Sequence, residues 1–412
     1  MSMDDLLNIL IKIIIYIIFI KIFLLKIDKK ELEIKLTDYI KNNTNHDIYS
    51  HNDDKDLKDI KEYIENLNLN LIEKKNYTKT ISFPKISIIV SMYNKEKYLN
   101  PLIISIQNQI LEEFELIIVD DFSTDSSVKI VENFQNIDKR IKLILNKKNF
   151  GSLYTRYIGS TYAKGKYFLL ADSDDIILRY GLEKAYTYIH QNRLDIVEFS
   201  SIFRNNDSIY VNREHYIYKN IIYKPFLGYV FYYNTTDGFE WNQALWNKLI
   251  FNRVVKKSFK YIGKKYLIKN IKIENDVILL FSIFQNARSY KFLDEVGYYY
   301  YGANNNSITN SYGPHNANEI ISSIFININF LFEKLDNPFL DKSFCIFKLK
   351  QGFNRYKKLF NYLTKDISNI LKTLDNIKAS KYLSQENKDF IVMIKTFILN
   401  LNLSKSDIIY SL

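Results

Sequence analysis

The sequence predicts an α/β fold in which a doubly wound, mostly parallel sheet carries helices on both faces. Three observations lead to this prediction. Apolar runs of strand length alternate with segments of helical periodicity. The strand-like runs are apolar at nearly every position, as in strands that are buried on both faces. Acidic residues directly follow two of the runs. Alternating strands and helices are typical of parallel sheets with right-handed crossovers.

The predicted elements follow one another without long gaps. The apolar run 86–90 is the first expected strand, and a helical pattern that includes Leu99 and Ile106 follows it. A second strand is expected at 114–119, and a second helical pattern leads to a third strand at 141–145. A third helix precedes the fourth strand. The order of elements is therefore that of consecutive strand–helix–strand units.

The most informative segment is the acidic end of the fourth predicted strand. Residues 166–171 are mostly apolar and run into Asp172, Asp174 and Asp175. Ligands of open α/β sheets bind outside the carboxyl ends of the strands, and carboxylates crowded there favour a divalent cation such as Mg²⁺ or Mn²⁺. The alternative is a helix-capping role, because aspartate is a preferred N-cap residue. Asp121 ends a second strand at the same edge, which favours a ligand site.

Three segments, in order and at characteristic spacing, resemble the family 2 glycosyltransferases. They are residues 88–99, 119–125 and 163–175. The resemblance continues through 245–249, 273–277 and 296–309, and it covers roughly residues 84–309. It implies a GT-A fold and transfer of a sugar from a nucleotide sugar, with inversion at the anomeric carbon. It also implies a core position for Trp246.

The resemblance places a nucleotide sugar, with uridine diphosphate as the expected nucleotide, against the ends of the first strands. The residues implied in nucleotide binding are Ser91, Tyr93, Glu96, Asp121, Arg156 and Asp174. An aromatic face at Tyr93 suits uracil or ribose. The carboxylate of Asp121 suits the imide N–H of uracil, a donor that cytosine lacks. Asp120 and Asp125 are expected in turn and cap roles instead.

Metal binding and proton transfer are the two chemical roles that the resemblance assigns to carboxylates. A divalent cation, Mg²⁺ or Mn²⁺, is expected on Asp175, Asp174 and Asp172, with Asp175 as the first candidate, and it stabilises the departing diphosphate as a Lewis acid. Asp276 aligns with the general base that deprotonates the acceptor hydroxyl. Asn275 stands where the family usually has glutamate. The alternative for Asp276 is an N-cap role before the apolar helix that follows it.

Composition narrows the range of partners. The net charge is +11, yet no helix-turn-helix, RNA-recognition or zinc-finger pattern occurs, so a nucleic-acid partner is not expected. The expected acceptor is a hydroxyl of a glycan, lipid or protein. The processive polysaccharide synthases of the family that this chain resembles carry a Gln-x-x-Arg-Trp pattern, and its absence here favours transfer of one or a few sugars without processive synthesis. The resemblance implies a hexosyl or N-acetylhexosaminyl group. The rival interpretation is a catalytically inactive GT-A protein that binds nucleotides or acts as a scaffold, but the aligned carboxylates are all retained.

The regions on either side of the resemblance differ in character. Residues 6–27 are strongly apolar, with interruptions at Lys12 and Lys21, and they predict a single-pass membrane anchor; an amphipathic or buried helix is the alternative. Lysines after this segment favour a cytosolic catalytic domain, and a Golgi-lumenal orientation stays open. The expected regions are an anchor (1–27), a polar helical stalk (28–83), a nucleotide-sugar-binding half (84–190), an acceptor-binding half (191–310) and a C-terminal helical extension (311–412).

Overall fold

A computed structural model describes most of the central part of the chain. The described ranges are 76–204, 209–212, 221–224, 244–269, 275–300, 316–334 and 367–379, with a few further positions outside them. The predicted anchor and nearly all of the predicted stalk lie outside the described residues. Within the described part, no helix has the length and the apolar character needed to cross a membrane.

The described elements alternate between strands and helices through the first half of the domain, as predicted. In chain order they are β1 (Ile86–Met92), α1 (Leu99–Gln107), β2 (Phe114–Asp120), α2 (Ser127–Ile137), β3 (Ile141–Leu145), α3 (Ser152–Tyr162), β4 (Tyr167–Asp172), β5 (Ile176–Ile177), α4 (Gly181–Gln191), β6 (Ile196–Arg204), β7 (Ile209–Asn212), β8 (Ile222–Tyr223), β9 (Lys248–Phe251), α5 (Asn252–Ile262), α6 (Lys264–Leu267), α7 (Asn275–Asn286), β10 (Ser289–Tyr300), α8 (Ala317–Lys334) and α9 (Ile367–Lys378). The two elements described in the predicted C-terminal extension are both helices.

The described strands form one sheet with the order β3-β2-β1-β4-β9-β6-β10-β5, to which β7 and β8 are added on β6 and β10. Parallel pairing joins β1 to β2 and β4, and β2 to β3, so the predicted parallel sheet is confirmed for the first four long strands. The second half is mixed, which differs from the prediction of a mostly parallel sheet. Strand β9 runs antiparallel to both β4 and β6, because the chain enters it from the edge at which those two strands end. Strands from both predicted halves thus share one sheet.

Helix α3 packs unusually close to the sheet. A Cβ atom added to Gly159 would lie 2.4 Å from Cγ2 of Ile89 in β1, a distance that real side chains do not adopt. Every residue of β2, and all but one of β1, is buried, as expected of strands that are covered on both faces. The absence of a side chain at Gly159 therefore sets how near α3, and the residues it carries, can approach the ends of the strands.

A polar and aromatic core supports β9 and β10. Trp246 is buried and its ring stacks on those of Tyr298 and Tyr300, at centroid distances of 4.6 and 5.5 Å, which confirms its predicted core position. Next to it, the ammonium group of Lys248 lies 3.0 Å from a carboxylate oxygen of Glu198, and both side chains are fully buried. Burial lowers the pKa of Lys248, and the carboxylate of Glu198 opposes this effect.

Candidate active site

The ends of β1, β2 and β4 bring acidic residues to one edge of the sheet. Ser91 is half-buried in β1, and it pairs in register with Val119 of β2 on one side and with Asp172 of β4 on the other. Met92 is paired with Asp120. The prediction that two acidic strand ends share one edge is therefore confirmed by the register.

A buried guanidinium group connects this edge to helix α7. Arg156 of α3 is 3% exposed; its Nη2 donates to Oδ1 of Asp172 at 2.7 Å, and its Nη1 donates to Oδ1 of Asp276. The same Nη1 donates to Oδ1 of Asn275 at 3.1 Å. Burial by itself lowers the pKa of Arg156, but Asp276 and Asp172 outweigh it and raise the pKa above its ordinary value. Arg156 is therefore a permanent cation that holds two carboxylates from different elements.

Asp172 lies in the least favourable electrostatic position of the group. Its side chain is 28% exposed. Desolvation raises the pKa of Asp172 to about 6; Arg156 acts in the opposite direction, whereas the negative charges of Asp276 and Asp174 add to the rise. Near neutral pH the carboxyl group is thus close to its titration range, and a further cation at this edge favours its ionised form.

Asp174 is paired with a lysine from the loop after β1. Nζ of Lys95 lies 2.5 Å from Oδ2 of Asp174, and each of the two side chains is 18% exposed. Lys95 was not among the predicted site residues. Its position directly after the first strand end is the sequence signal that could have identified it, since that loop faces the acidic edge.

Asp175 lies beneath the edge instead of at it. The side chain is 1% exposed and accepts a hydrogen bond of 2.9 Å from the hydroxyl group of Tyr298 in β10. The same hydroxyl oxygen accepts a hydrogen bond of 3.2 Å from the backbone N–H of Asp172. Tyr298, which was also not predicted, thereby fixes the acidic turn from below. Among the three predicted metal ligands, the accessible carboxylates are those of Asp172 and Asp174, and the first candidate, Asp175, is the least accessible.

Two accessible carboxylates, those of Asp172 and Asp174, are available to a divalent cation at this edge. Within the described ranges, no three side chains of His, Cys, Asp or Glu are grouped so as to hold a metal ion. Mg²⁺ at nucleotide sites commonly uses one or two carboxylates and completes its coordination with phosphate oxygens and water. Asp172 and Asp174 fit this smaller donor set, provided that a diphosphate supplies the remaining oxygens.

Hydrogen bonds join the loop after β1 to the beginning of α2. The backbone N–H of Glu96 donates to Oδ2 of Asp125 at 3.2 Å, and Oε2 of Glu96 accepts from the backbone N–H of Ser126 at 3.0 Å. Glu96 therefore has a structural partner in addition to its predicted nucleotide role. Tyr93 is 46% exposed at the same edge, so its ring is accessible to a base. Oδ1 of Asp125 accepts a hydrogen bond of 2.9 Å from the backbone N–H of Ser127, two residues on, which is the predicted turn role.

Asp121 is buried and holds the loop that leads into α3. Its Oδ1 accepts from the side-chain amide of Asn146 and from the backbone N–H of Phe150, both at 2.9 Å, and its Oδ2 accepts from the N–H of Gly151 at 2.8 Å. A carboxylate has about four acceptor positions, so one further hydrogen bond can still be accepted. Asp120 accepts hydrogen bonds from the N–H groups of Phe122 and Ser123, which is the predicted turn role.

Comparison with known proteins identifies the family of this region. Residues 87–258 match the family model described as "Glycosyl transferase family 2". The chain contains a family 2 glycosyltransferase domain. The match includes the acidic edge and α3, and it ends within α5, before Asp276.

Relatives of this family 2 domain match the chain over about a quarter of its length. An uncharacterized glycosyltransferase of Haemophilus influenzae is 44% identical over 114 residues, which are 28% of this chain and 46% of that protein. Glycosyltransferase GlyG of Streptococcus pneumoniae is 34% identical over 112 residues, 27% of this chain and 37% of that protein. TarS of Staphylococcus aureus, a poly(ribitol-phosphate) β-N-acetylglucosaminyltransferase, is 35% identical over 115 residues, 27% of this chain and 20% of that protein. The chain therefore matches less than half the length of each of these relatives.

A solved structure extends the similarity from the sequence to the fold. The crystal structure of S. aureus TarS residues 1–349 in complex with UDP-GlcNAc superposes with a TM-score of 0.51 at 21% identity, and the alignment covers 71% of this chain and 80% of that one. At this level of identity the likeness concerns the fold alone. It agrees with a mixed α/β domain of the GT-A type.

The predicted site residues thus separate into two groups. Asp172, Asp174, Asp276 and Arg156 come together at the acidic edge. Arg156 has both carboxylates as partners and almost no exposed surface, which differs from the expectation that it contacts the nucleotide. The remaining predicted residues line or support the neighbouring loops, namely Ser91, Tyr93, Glu96, Asp121 and Asp175.

Proposed function

We propose that this family 2 domain transfers a sugar from a uridine diphosphate sugar to an acceptor hydroxyl group, with inversion at the anomeric carbon. The observation that carries the proposal is that one buried guanidinium, that of Arg156, holds Asp172 of the acidic edge and Asp276 of α7 together. A metal- and diphosphate-binding carboxylate and a proton-accepting carboxylate are the two groups that such a transfer needs at neighbouring positions. The names of the relatives support the reaction class.

Asp276 is proposed as the general base. Its side chain is 27% exposed, and its Oδ1 accepts from Arg156, while its Oδ2 accepts no hydrogen bond from the described residues. The acceptor hydroxyl loses its proton to Asp276 as its oxygen forms a bond to the anomeric carbon. The bond from that carbon to the diphosphate oxygen breaks, and its electron pair leaves with uridine diphosphate. A positioned base of this kind contributes about 10²–10⁴-fold to the rate.

Asp174 and Asp172 are proposed as the ligands of a divalent cation, Mg²⁺ or Mn²⁺. When bound, the cation acts as a Lewis acid on the departing diphosphate. Lys95 lies against Asp174 and adds a second positive charge at the same place, which favours the approach of an anionic donor. Asp175 supports the turn through Tyr298 and is proposed to position the ligands without contacting the cation.

The nucleotide is proposed to lie across the ends of β1 and β2. The exposed ring of Tyr93 is suited to stacking on uracil or ribose. Asp121 has one acceptor position left for the imide N–H of uracil, and its present partners fix the direction of that position. Ser91 and Glu96 are proposed to contact the nucleotide from the end of β1 and from the loop that follows it.

The finer assignments are also proposals. Transfer of an N-acetylhexosaminyl or hexosyl group, without processive synthesis, to a glycan, lipid or protein hydroxyl follows from the family relationship and from TarS, whose structure contains UDP-GlcNAc. Residues 1–27 are proposed to anchor the chain to a membrane.

The test is donor hydrolysis and transfer across a panel of nucleotide sugars, with and without Mn²⁺. We expect release of uridine diphosphate from one donor to depend on the metal and to be lost in Asp174→Asn. Asp276→Asn should abolish transfer while uridine diphosphate still binds. The matched control is Asp375→Asn, because that carboxylate lies on α9, is 52% exposed and pairs with Lys395.

Two results would contradict the proposal in different ways. Binding of uridine diphosphate without release from any donor would favour the inactive nucleotide-binding protein. Transfer that survives in Asp276→Asn would remove Asp276 as the base and leave the donor site intact.

A further inference from the structure

Helices α5 and α6 and the residues that follow them carry many basic side chains and no acidic one. Between Asn252 and Ile271 the sequence has seven basic residues and no acidic one. Six of them are exposed lysines, which together we call the lysine face: Lys256, Lys257, Lys260, Lys264, Lys265 and Lys269. The seventh, Arg253, lies 3.6 Å from Asp195 and is excluded from this face.

The lysine face exists because α5 is strongly amphipathic. Its buried side consists of Val254, Val255, Ser258, Phe259 and Ile262. The lysines at the intervening positions therefore point away from the core.

Most of the positive charge of the lysine face is not neutralised by the protein. Lys265 pairs with Glu333 at 2.6 Å, and Lys256 donates to the backbone oxygen of Ala163 at 3.3 Å. The other four lysines form no ion pair with any described residue. Such a concentration of like charge is unfavourable for the isolated domain and favours contact with an anionic partner.

An exposed aliphatic side chain and a cavity lie among the lysines of the lysine face. Ile268 is 54% exposed, although its neighbour Leu267 is buried. Between α3 and the lysine-bearing helices lies a cavity of about 720 Å³. Cationic, aromatic and aliphatic side chains line it, among them Lys256, Lys260, Lys264, Tyr154, Tyr157 and Ile268. Cations, an exposed aliphatic side chain and a recess thus occur on one surface.

We propose that the lysine face docks on a lipid bilayer that contains anionic headgroups. A lysine near an anionic leaflet strengthens binding about fivefold, so the four unpaired lysines together supply a substantial attraction. Ile268 is placed to enter the boundary between headgroups and acyl chains, as apolar residues of interfacial helices do. The cavity between its lysines is suited to a lipid phosphate group. The lysine face includes no residue of the predicted anchor, 1–27.

The tyrosines of the cavity argue against a single-stranded nucleic acid as the occupant. Binding of single strands relies on aromatic rings that are free to stack on bases. The ring of Tyr154 already stacks on Phe150 at a centroid distance of 4.5 Å, and that of Tyr157 meets Phe259 edge-on at 5.5 Å. The aromatic rings therefore belong to the wall of the cavity.

The test uses the full chain and a local reporter, because a membrane anchor would bind any vesicle. An environment-sensitive fluorophore is attached at Ile268→Cys in a Cys345→Ser background. Vesicles of phosphatidylcholine containing phosphatidylglycerol are compared with vesicles of phosphatidylcholine alone. We expect a blue shift of the emission only with the anionic vesicles, and a reversal at high salt, because salt screens exposed charges.

The variant Lys257→Glu/Lys260→Glu should lower the equilibrium constant for docking of the lysine face at least about 25-fold, because each lost lysine lowers it about fivefold. The matched control, Lys129→Glu/Lys139→Glu, makes the same change of charge at exposed positions away from the lysine face, and it should leave the shift unchanged. Three results would overturn the proposal: no shift while the protein sediments with anionic vesicles, an equal shift with neutral vesicles, or a response to soluble polyphosphate but not to vesicles.

Discussion

Replacement of Arg156 by methionine tests whether the two carboxylates at the site depend on one cation. Methionine keeps a long side chain in the buried position and removes the hydrogen bonds to Asp172 and Asp276. Breaking a buried ion pair by removing one partner costs about 3–5 kcal/mol. The two aspartates are 28% and 27% exposed and can recover part of their hydration, so we expect the lower limit, about 3 kcal/mol.

The assay combines thermal unfolding with transfer kinetics. A loss of about 3 kcal/mol corresponds to a decrease in Tm of roughly 5–10 °C for a domain of this size. Without Arg156, Asp172 and Asp276 repel each other and Asp276 loses its fixed orientation. A displacement of about 1 Å can lower the rate about 100-fold, so we expect a decrease of that order in kcat below the unfolding transition.

Arg140→Met is the matched control, because Arg140 is equally buried and paired with a carboxylate. Its Nε and Nη2 donate to the two oxygens of Asp138, and its guanidinium lies over the rings of Tyr77 and Phe114, away from the acidic edge. We expect comparable destabilisation and an unchanged kcat for the folded protein. If Arg156→Met kept the kcat and Tm of the wild type, or if Arg140→Met lowered kcat equally, the reasoning about Arg156 would be refuted.

Three further substitutions test the surroundings of the site. The pKa of Asp172 is raised from 3.8 to about 6 in the folded state, so ionisation of this group destabilises the fold as the pH rises from about 4 to about 6. The Tm of Asp172→Asn should therefore rise relative to that of the wild type across this pH range. A constant difference in Tm would contradict the prediction. Tyr298→Phe removes a hydrogen bond to buried Asp175 and should cost about 1–3 kcal/mol in urea unfolding, whereas Tyr162→Phe, a control at an exposed position, should cost less. Gly159→Ala should destabilise the fold by about 1–3 kcal/mol and lower the rate of transfer, since the new Cβ would overlap Ile89. The double variant Gly159→Ala/Ile89→Ala should lose less stability than the sum of the two single variants. Strict additivity would exclude this contact as the cause.

The parts of the fold that could be predicted are those with a strong local signal. Strands β1, β2 and β4 are apolar at nearly every position, so their existence and the common edge of Asp120 and Asp172 follow from the pattern. Strand β9 has only four residues and includes the buried Lys248, which makes it atypical of a central strand in the sequence. Its antiparallel direction depends on the edge from which the chain enters, and no local pattern encodes that edge.

Within the site, the candidate carboxylates could be predicted better than the side chains that they contact. Asp172 and Asp174 were singled out because carboxylates at strand ends are distinctive, and Asp276 because it aligns with the base of the family that the sequence resembles. The partners of Arg156 could not be, since Asp276 is 120 positions away along the chain. The burial of Asp175 depends on β5, the strand that begins at the next residue. Because β5 pairs with β10, it draws Asp175 beneath the acidic edge of the sheet. A residue's exposure at a strand end is thus decided by the next element, which the acidic motif itself does not reveal.

The position of Arg156 also bears on whether the site was arranged for stability or for chemistry. Its Nε is buried and has no hydrogen-bond partner among the described residues, and an unpaired buried donor costs about 1–3 kcal/mol. An apolar side chain at this position of α3 would avoid that cost. The arginine is accounted for if its other nitrogens are needed to hold Asp172 and Asp276 in a fixed relation. The same helix presents Tyr154 and Tyr157 to the cavity beside the lysine face. If the lysine face docks as proposed, α3 carries both the cation that holds the acidic edge and part of the wall beside the bilayer, which favours an acceptor hydroxyl carried by a lipid.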